Sequence, residues 1–155
     1  MKRIMPLVFS SILLLGTVAC DNNAKTSSNA PDSPGESGKV VTDKTVQTDK
    51  KDATSQVRRD QLNADIRARE QRNLSGGSAD RANTDLSSEV RSKLEANIPA
   101  SQLTVVAKDG AIVVGGTVQN QEQLNKIDSL SKQIKGVKSV KVLAKVAPAV
   151  PGEKR

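Results

Sequence analysis

Residues 105–124, VVAKDGAIVVGGTVQNQEQL, decide the fold. They continue an alternating run, LTVVAK, that puts Leu103, Val105 and Ala107 on one face and Thr104, Val106 and Lys108 on the other, the period-two pattern of a half-buried strand. Asp109 and Gly110 then form a two-residue hairpin signal, because a type I′ turn needs positive φ at both central positions. The returning strand lines up Ile112, Val114, Gly116 and Val118 on one face. Asn120, with Gln123 three residues later, predicts the start of a helix. Its apolar stripe is Leu124, Ile127, Leu130 and Ile134, and Gly136 is expected to end it in the left-handed conformation just past its last residue.

The pattern extends on both sides. Upstream, Thr84 or Asp85 is placed to cap a helix whose inner face is Leu86, Val90, Leu94 and Ile98, and Pro99 ends it. Downstream, GVKSVKVLAKV alternates again, with Val140, Val142, Ala144 and Val146 facing one way and Lys141, Leu143 and Lys145 the other. The element order is α-β-β-α-β. This predicts a small α+β domain over residues 84–147, a three-stranded sheet with both helices on one face. Three glycines are read as structural: Gly110 in the turn, Gly136 at the helix end, and Gly116, an inward position where a helix approaches the sheet closely. Gly115 points outward and has no role in this reading. A domain of about 60 residues buries only about 60% of the surface its unfolded chain exposes, so its stability reserve is small.

These residues resemble the BON domain, named for bacterial osmotically inducible and nodulation proteins. The resemblance rests on the strand pattern at Gly116 to Val118 and on the Gly-Val-x-x-Val run at Gly136, Val137 and Val140. It implies a periplasmic or lipid-anchored protein without catalytic activity, associated with phospholipid surfaces and with envelope integrity under stress. Better-known members carry two such domains and this chain shows one, so interactions that need a pair are not implied.

The rest of the chain reads as delivery and tether. Lys2 and Arg3 precede an apolar run from Leu7 to Leu15, the layout of a signal peptide, here residues 1–19. GTVAC resembles the lipobox of bacterial lipoproteins, with Cys20 as the lipidated first residue of the mature protein. Thr17 stands where that pattern usually has Leu, and an ordinary signal peptide cut after Ala19 is the alternative. Residues 20–55 are rich in Ser, Thr, Asn, Asp and Lys and poor in large apolar side chains, so burial cannot offset their ordering entropy and a disordered stalk is expected. Residues 56–74 favour helix, but the stripe of Val57, Leu62 and Ile66 is thin, which predicts a solvent-exposed spacer. Residues 75–83 read as a linker and 148–155 as a disordered tail. With a flexible stalk, the 64 residues from Asp21 to Thr84 would span roughly 45 Å.

Composition removes whole function classes. The chain of 155 residues has no His, Trp or Tyr, one Phe and one Cys, so the usual catalytic base, most metal ligands and aromatic stacking platforms are missing. No enzyme, no metal and no cofactor is expected. The net charge of +7 is spread thinly: residues 85–148 hold nine basic and six acidic side chains, with no basic stripe. Nucleic acid is therefore not an expected partner.

Function is then left to a surface. The sheet face away from the helices is expected to carry Val106, Val113 and Leu143, with Thr104 and Thr117, among Lys108, Lys141 and Lys145. That set is apolar enough to bind and basic enough to prefer an anion; the plain alternative is an ordinary solvated sheet face. The resemblance to phospholipid-associated BON proteins implies a second candidate, the first helix of the domain with Arg91 and Lys93, although Glu89 and Glu95 nearly neutralise it. The expected partners are a membrane phospholipid surface or envelope proteins, the second giving a periplasmic scaffold without lipid preference. The anchor is tested directly: intact mass spectrometry of membrane-extracted protein is expected to show a chain beginning at acylated Cys20, and an unmodified Cys20 contradicts it.

Overall fold

The computed structural model describes residues 23–75 and 82–150. The signal segment 1–19, Cys20, most of the linker 75–83 and the end of the tail lie outside the described residues. In chain order the elements are β1 (Ala24–Lys25), α1 (Asp43–Ala53), α2 (Gln56–Ser75), α3 (Asn83–Asn97), β2 (Gln102–Lys108), β3 (Ala111–Val118), α4 (Gln121–Lys132), β4 (Ser139–Val142) and β5 (Lys145–Val146).

The centre of the sheet follows from the hairpin. Asp109 and Gly110 have φ of 53° and 87°, and the turn sets β2 against β3 in antiparallel register, with Val105 opposite Val114. Both β4 and β5 pair with β3 in parallel, Ile112 opposite Val140 and Val118 opposite Val146. The predicted last strand is thus present as two pieces of one register, interrupted at Leu143 and Ala144 opposite the glycine pair. Leu86, Val90 and Leu94 of α3 and Ile127 of α4 meet Leu103, Val105, Ile112 and Val114 in one core. Asn120 accepts from the Gln123 backbone N–H at 2.9 Å, while the Gln123 side chain accepts from Gln119.

Several expectations need correcting. Among the described residues the sheet has five strands rather than three, because β1 pairs antiparallel with β2 and the last strand is split. The N-terminal stalk is not free of structure over its described part: residues 24–25 form β1 and residues 43–53 form a capped helix, with Thr42 accepting from the Thr45 N–H. Helix α2 is not a bare spacer either. Its Leu62 is 1% exposed, packed among side chains of neighbouring elements, although Val57 is 69% exposed and most of the helix faces solvent. The tail is held at Val150, which exchanges backbone hydrogen bonds with Val41 and Asp43 at 3.0 Å each.

Two smaller corrections concern caps. Neither Thr84 nor Asp85 caps α3; the helix begins at Asn83, with Ala82 in the cap position and without a side-chain cap. Asn83 spends its carbonyl on the hairpin instead, accepting from the Asp109 N–H at 2.8 Å. Helix α4 ends at Lys132, and Gln133 and Ile134 close tight turns onto Leu130 and Ser131. Gly136, at φ 99°, therefore lies in the following turn rather than at the helix end.

Gly116 is required for another reason than helix approach. Its φ is 108°, and a Cβ there would fall on the Gln102 carbonyl of the neighbouring strand. Gly116→Leu is expected to lower stability by about 2–4 kcal/mol, the sum of backbone strain and forced displacement. A urea melt checks it: the midpoint falls at unchanged slope, and an unmoved midpoint would refute the strand-contact account.

Candidate surface-binding face

The outer face of the sheet, away from α3 and α4, can be read row by row from the register. Lys108 stands beside Ala111 and Ser139, Val106 beside Val113 and Lys141, Thr104 beside Gly115, and Gln102 beside Thr117 and Lys145. Lys108, Lys141 and Lys145 are exposed, Val106 and Val113 are half-buried, and Leu143 is 38% exposed. The structure thus brings the expected lysines and apolar residues to one face. Lys138, absent from the sequence reading, lies at the hairpin turn rather than in a row of this face: its backbone N–H donates to Gly110 at 2.8 Å and its exposed side chain lies beside that glycine. Among the described residues no ion pair engages Lys108, Lys138, Lys141 or Lys145.

The face is not open throughout. Thr104 and Gln102 are fully buried on a side that no helix of the domain covers. The cover is residues 26–42, which leave β1, turn, and cross the face as a strap. The Thr104 hydroxyl donates to the Pro31 carbonyl. Lys25 of β1 pairs with Asp32, which holds that carboxyl below its usual range through a hydrogen bond and its charge. A folded pKa depressed in this way means the pairing is present above the ordinary carboxylate range and is lost as pH falls through the lowered value.

Gly115 now has a role. A Cβ at that position would run into the Pro34 backbone, so the missing side chain is what lets the strap lie directly on the strand. The signal was in the sequence, an outward glycine in a strand together with a Pro- and Gly-rich segment, APDSPGESG, but nothing local connected the two.

The second candidate, on α3, is occupied. Arg91 has 17% of its side chain exposed and pairs with Glu95 at 2.9 Å and with Asp65 of α2 at 3.8 Å. Arg58 binds Glu95 at 2.7 Å, and Arg69 and Arg72 bind Asp85 at 2.7 and 3.3 Å. Lys93 is half-buried. Helix α2 thus covers the charged side of α3. Among the described residues no group of His, Cys, Asp and Glu is placed to hold a metal ion. Leu62→Ala is expected to loosen α2 and not the core: hydrogen exchange should quicken across residues 56–75 and stay unchanged in β2 and β3. Equal acceleration everywhere would mean that α2 folds as one unit with the domain.

The BON domain family matches residues 82–148. Osmotically-inducible protein Y of Escherichia coli (strain K12) is 35% identical over 78 residues, 49% of this chain and 37% of that protein, so the chain spans little more than a third of that relative's length. No solved structure matches.

Proposed function

We propose, from the premise that residues 82–148 make this chain a BON-domain protein, that it is a non-enzymatic module of the cell envelope which supports the envelope under osmotic stress by holding its outer sheet face against a phospholipid surface. The stress element comes from the relative, whose name records osmotic induction. The surface element is carried by one observation: on one face Lys108, Lys141 and Lys145, without an ion pair among the described residues, lie with the half-buried Val106 and Val113.

Each lysine near an anionic bilayer contributes about 1 kcal/mol, and the attraction fades over a Debye length of about 8 Å at physiological salt. Such a face binds weakly alone. It suffices when the protein is already held nearby, and acyl chains on Cys20 would do that, since two buried chains anchor stably. Among the described residues no helix is long and apolar enough to cross a membrane; in this reading the attachment is by lipid, with the protein facing the periplasm or the cell exterior.

The test uses the full chain with Cys20→Ser, which removes the anchoring thiol. Co-sedimentation with phosphatidylglycerol-containing vesicles is expected at low salt and lost near physiological salt. Changing Lys108, Lys141 and Lys145 to Gln is expected to abolish it at every salt concentration. Binding that survives the triple substitution contradicts the face, and absence of binding with capture of an envelope protein instead favours a protein-binding scaffold.

A further inference from the structure

We infer that residues 26–42 are a displaceable strap, so that the outer sheet face has a closed state, occupied by the chain's own backbone, and an open state that an anionic lipid surface can occupy. The inference rests on the surface reading above and adds its regulation.

The strap is fixed at its ends and lightly held between them. At one end the Thr26 backbone N–H donates to Leu103 at 2.9 Å and the Thr26 hydroxyl to Ser101 at 2.8 Å. At the other, Val41 and Asp43 are tied to Val150. Between these hinges, the Thr104 hydroxyl makes the only hydrogen bond from β2–β5 to residues 31–40 among the described residues. Asp32 is reached from β1 and its approach by Lys25 and by Asn23, whose amide donates to the Asp32 carbonyl at 2.6 Å. Of the strap's residues Ala30, Pro31 and, at its far hinge, Val41 are buried, and none belongs to the hydrophobic core.

The closed state also carries a cost. Both side-chain amide atoms of Gln102 are buried without a hydrogen-bond partner among the described residues, and a buried unpaired amide favours any state that returns it to water. A cavity of about 250 Å³ remains between the strap and the strands, lined by Pro34, Gly35, Glu36, Thr117, Leu143 and Lys145. The strap therefore lies tightly on Thr104 and Gly115 and leaves a gap over Thr117, Leu143 and Lys145. Lifting it uncovers Gln102, Thr104, Thr117 and Leu143 and joins Lys145 to the open half that carries Lys108 and Lys141. A surface that must displace an intramolecular cover binds with an affinity reduced by the open fraction, so anything that raises that fraction tightens binding without a new contact.

Gly115 offers a clean lever. Its backbone is outside the positive-φ set, so a strand residue fits there, but a side chain collides with Pro34. In the full chain with Cys20→Ser, Gly115→Val is expected to speed hydrogen exchange of residues 26–42 several-fold while α3, α4 and β2 keep theirs. Binding to vesicles of equal parts phosphatidylglycerol and phosphatidylcholine at low salt should tighten several-fold. Thr104→Val, which removes the hydroxyl bound to Pro31, is expected to act in the same direction and carries the test if Gly115→Val disturbs the core. Unchanged strap exchange in both variants overturns the inference, as does a freed strap with no gain over a wild-type chain that binds. If neither wild type nor freed-strap variant binds, the surface reading itself falls, and the gating with it.

Discussion

Strand β3 is the member of the sheet on which all else is hung, and the contact that permits this is the approach of its Gly115–Gly116 pair to other backbone. At Gly116 the neighbour is the Gln102 carbonyl in the same sheet; at Gly115 it is Pro34 lying across the face. One glycine lets β2 close on β3 with φ of 108°, and the other admits the strap. The two adjacent positions point to opposite sides of the sheet. The pair thus serves both the inner architecture and the outer cover, and the last strand breaks into β4 and β5 directly opposite it.

From that centre the molecule is layered by the kind of interaction. The core of α3, α4 and the strands is apolar, with Leu86, Val90, Leu94, Leu103, Val105, Val114 and Ile127 fully buried. Outside it, α2 is attached mainly by charge, through Arg58 with Glu95, Arg69 and Arg72 with Asp85, and Arg91 with Asp65, around the buried Leu62. The strap is attached by a few polar contacts and two hinges. Stability falls in that order, since burial of apolar area outweighs exposed ion pairs.

The core was legible because each inward residue is set by local periodicity: Leu86, Val90, Leu94 and Ile98 at helical spacing, and Leu103, Val105, Ile112 and Val114 at strand spacing. Asp109-Gly110 fixed their register. The outer layers were not legible for a matching reason. Nothing in Ala24 and Lys25 declares a strand, since two residues have no periodicity, and the docking of α2 depends on pairs such as Arg58–Glu95 that are 37 residues apart. Of the candidate face, the alternation of β2 and β4 placed Lys108 and Lys141 correctly with Val106. It did not reveal that Thr104 on the same face would be buried, because that depends on a segment more than 70 residues upstream.

The layering makes salt the natural variable for this protein. A histidine-free chain lacks the side chain whose unperturbed pKa falls between pH 5 and 8, so a change of pH in that range leaves its charges largely as they are. Salt acts differently on each layer. The apolar core is indifferent to screening, whereas the exposed Lys25–Asp32 and Arg72–Asp85 pairs weaken as the Debye length shortens from about 10 Å at 0.1 M to about 3 Å at 1 M. Arg58–Glu95 is less affected, because Glu95 is buried and little solvent lies between the charges. Screening would also weaken the proposed attraction of Lys108, Lys141 and Lys145 to an anionic surface. Under the proposed surface reading, rising salt would loosen the strap and at the same time remove the pull of the surface that would replace it, and the balance between these two screened interactions would set how much of the face is free at a given ionic strength.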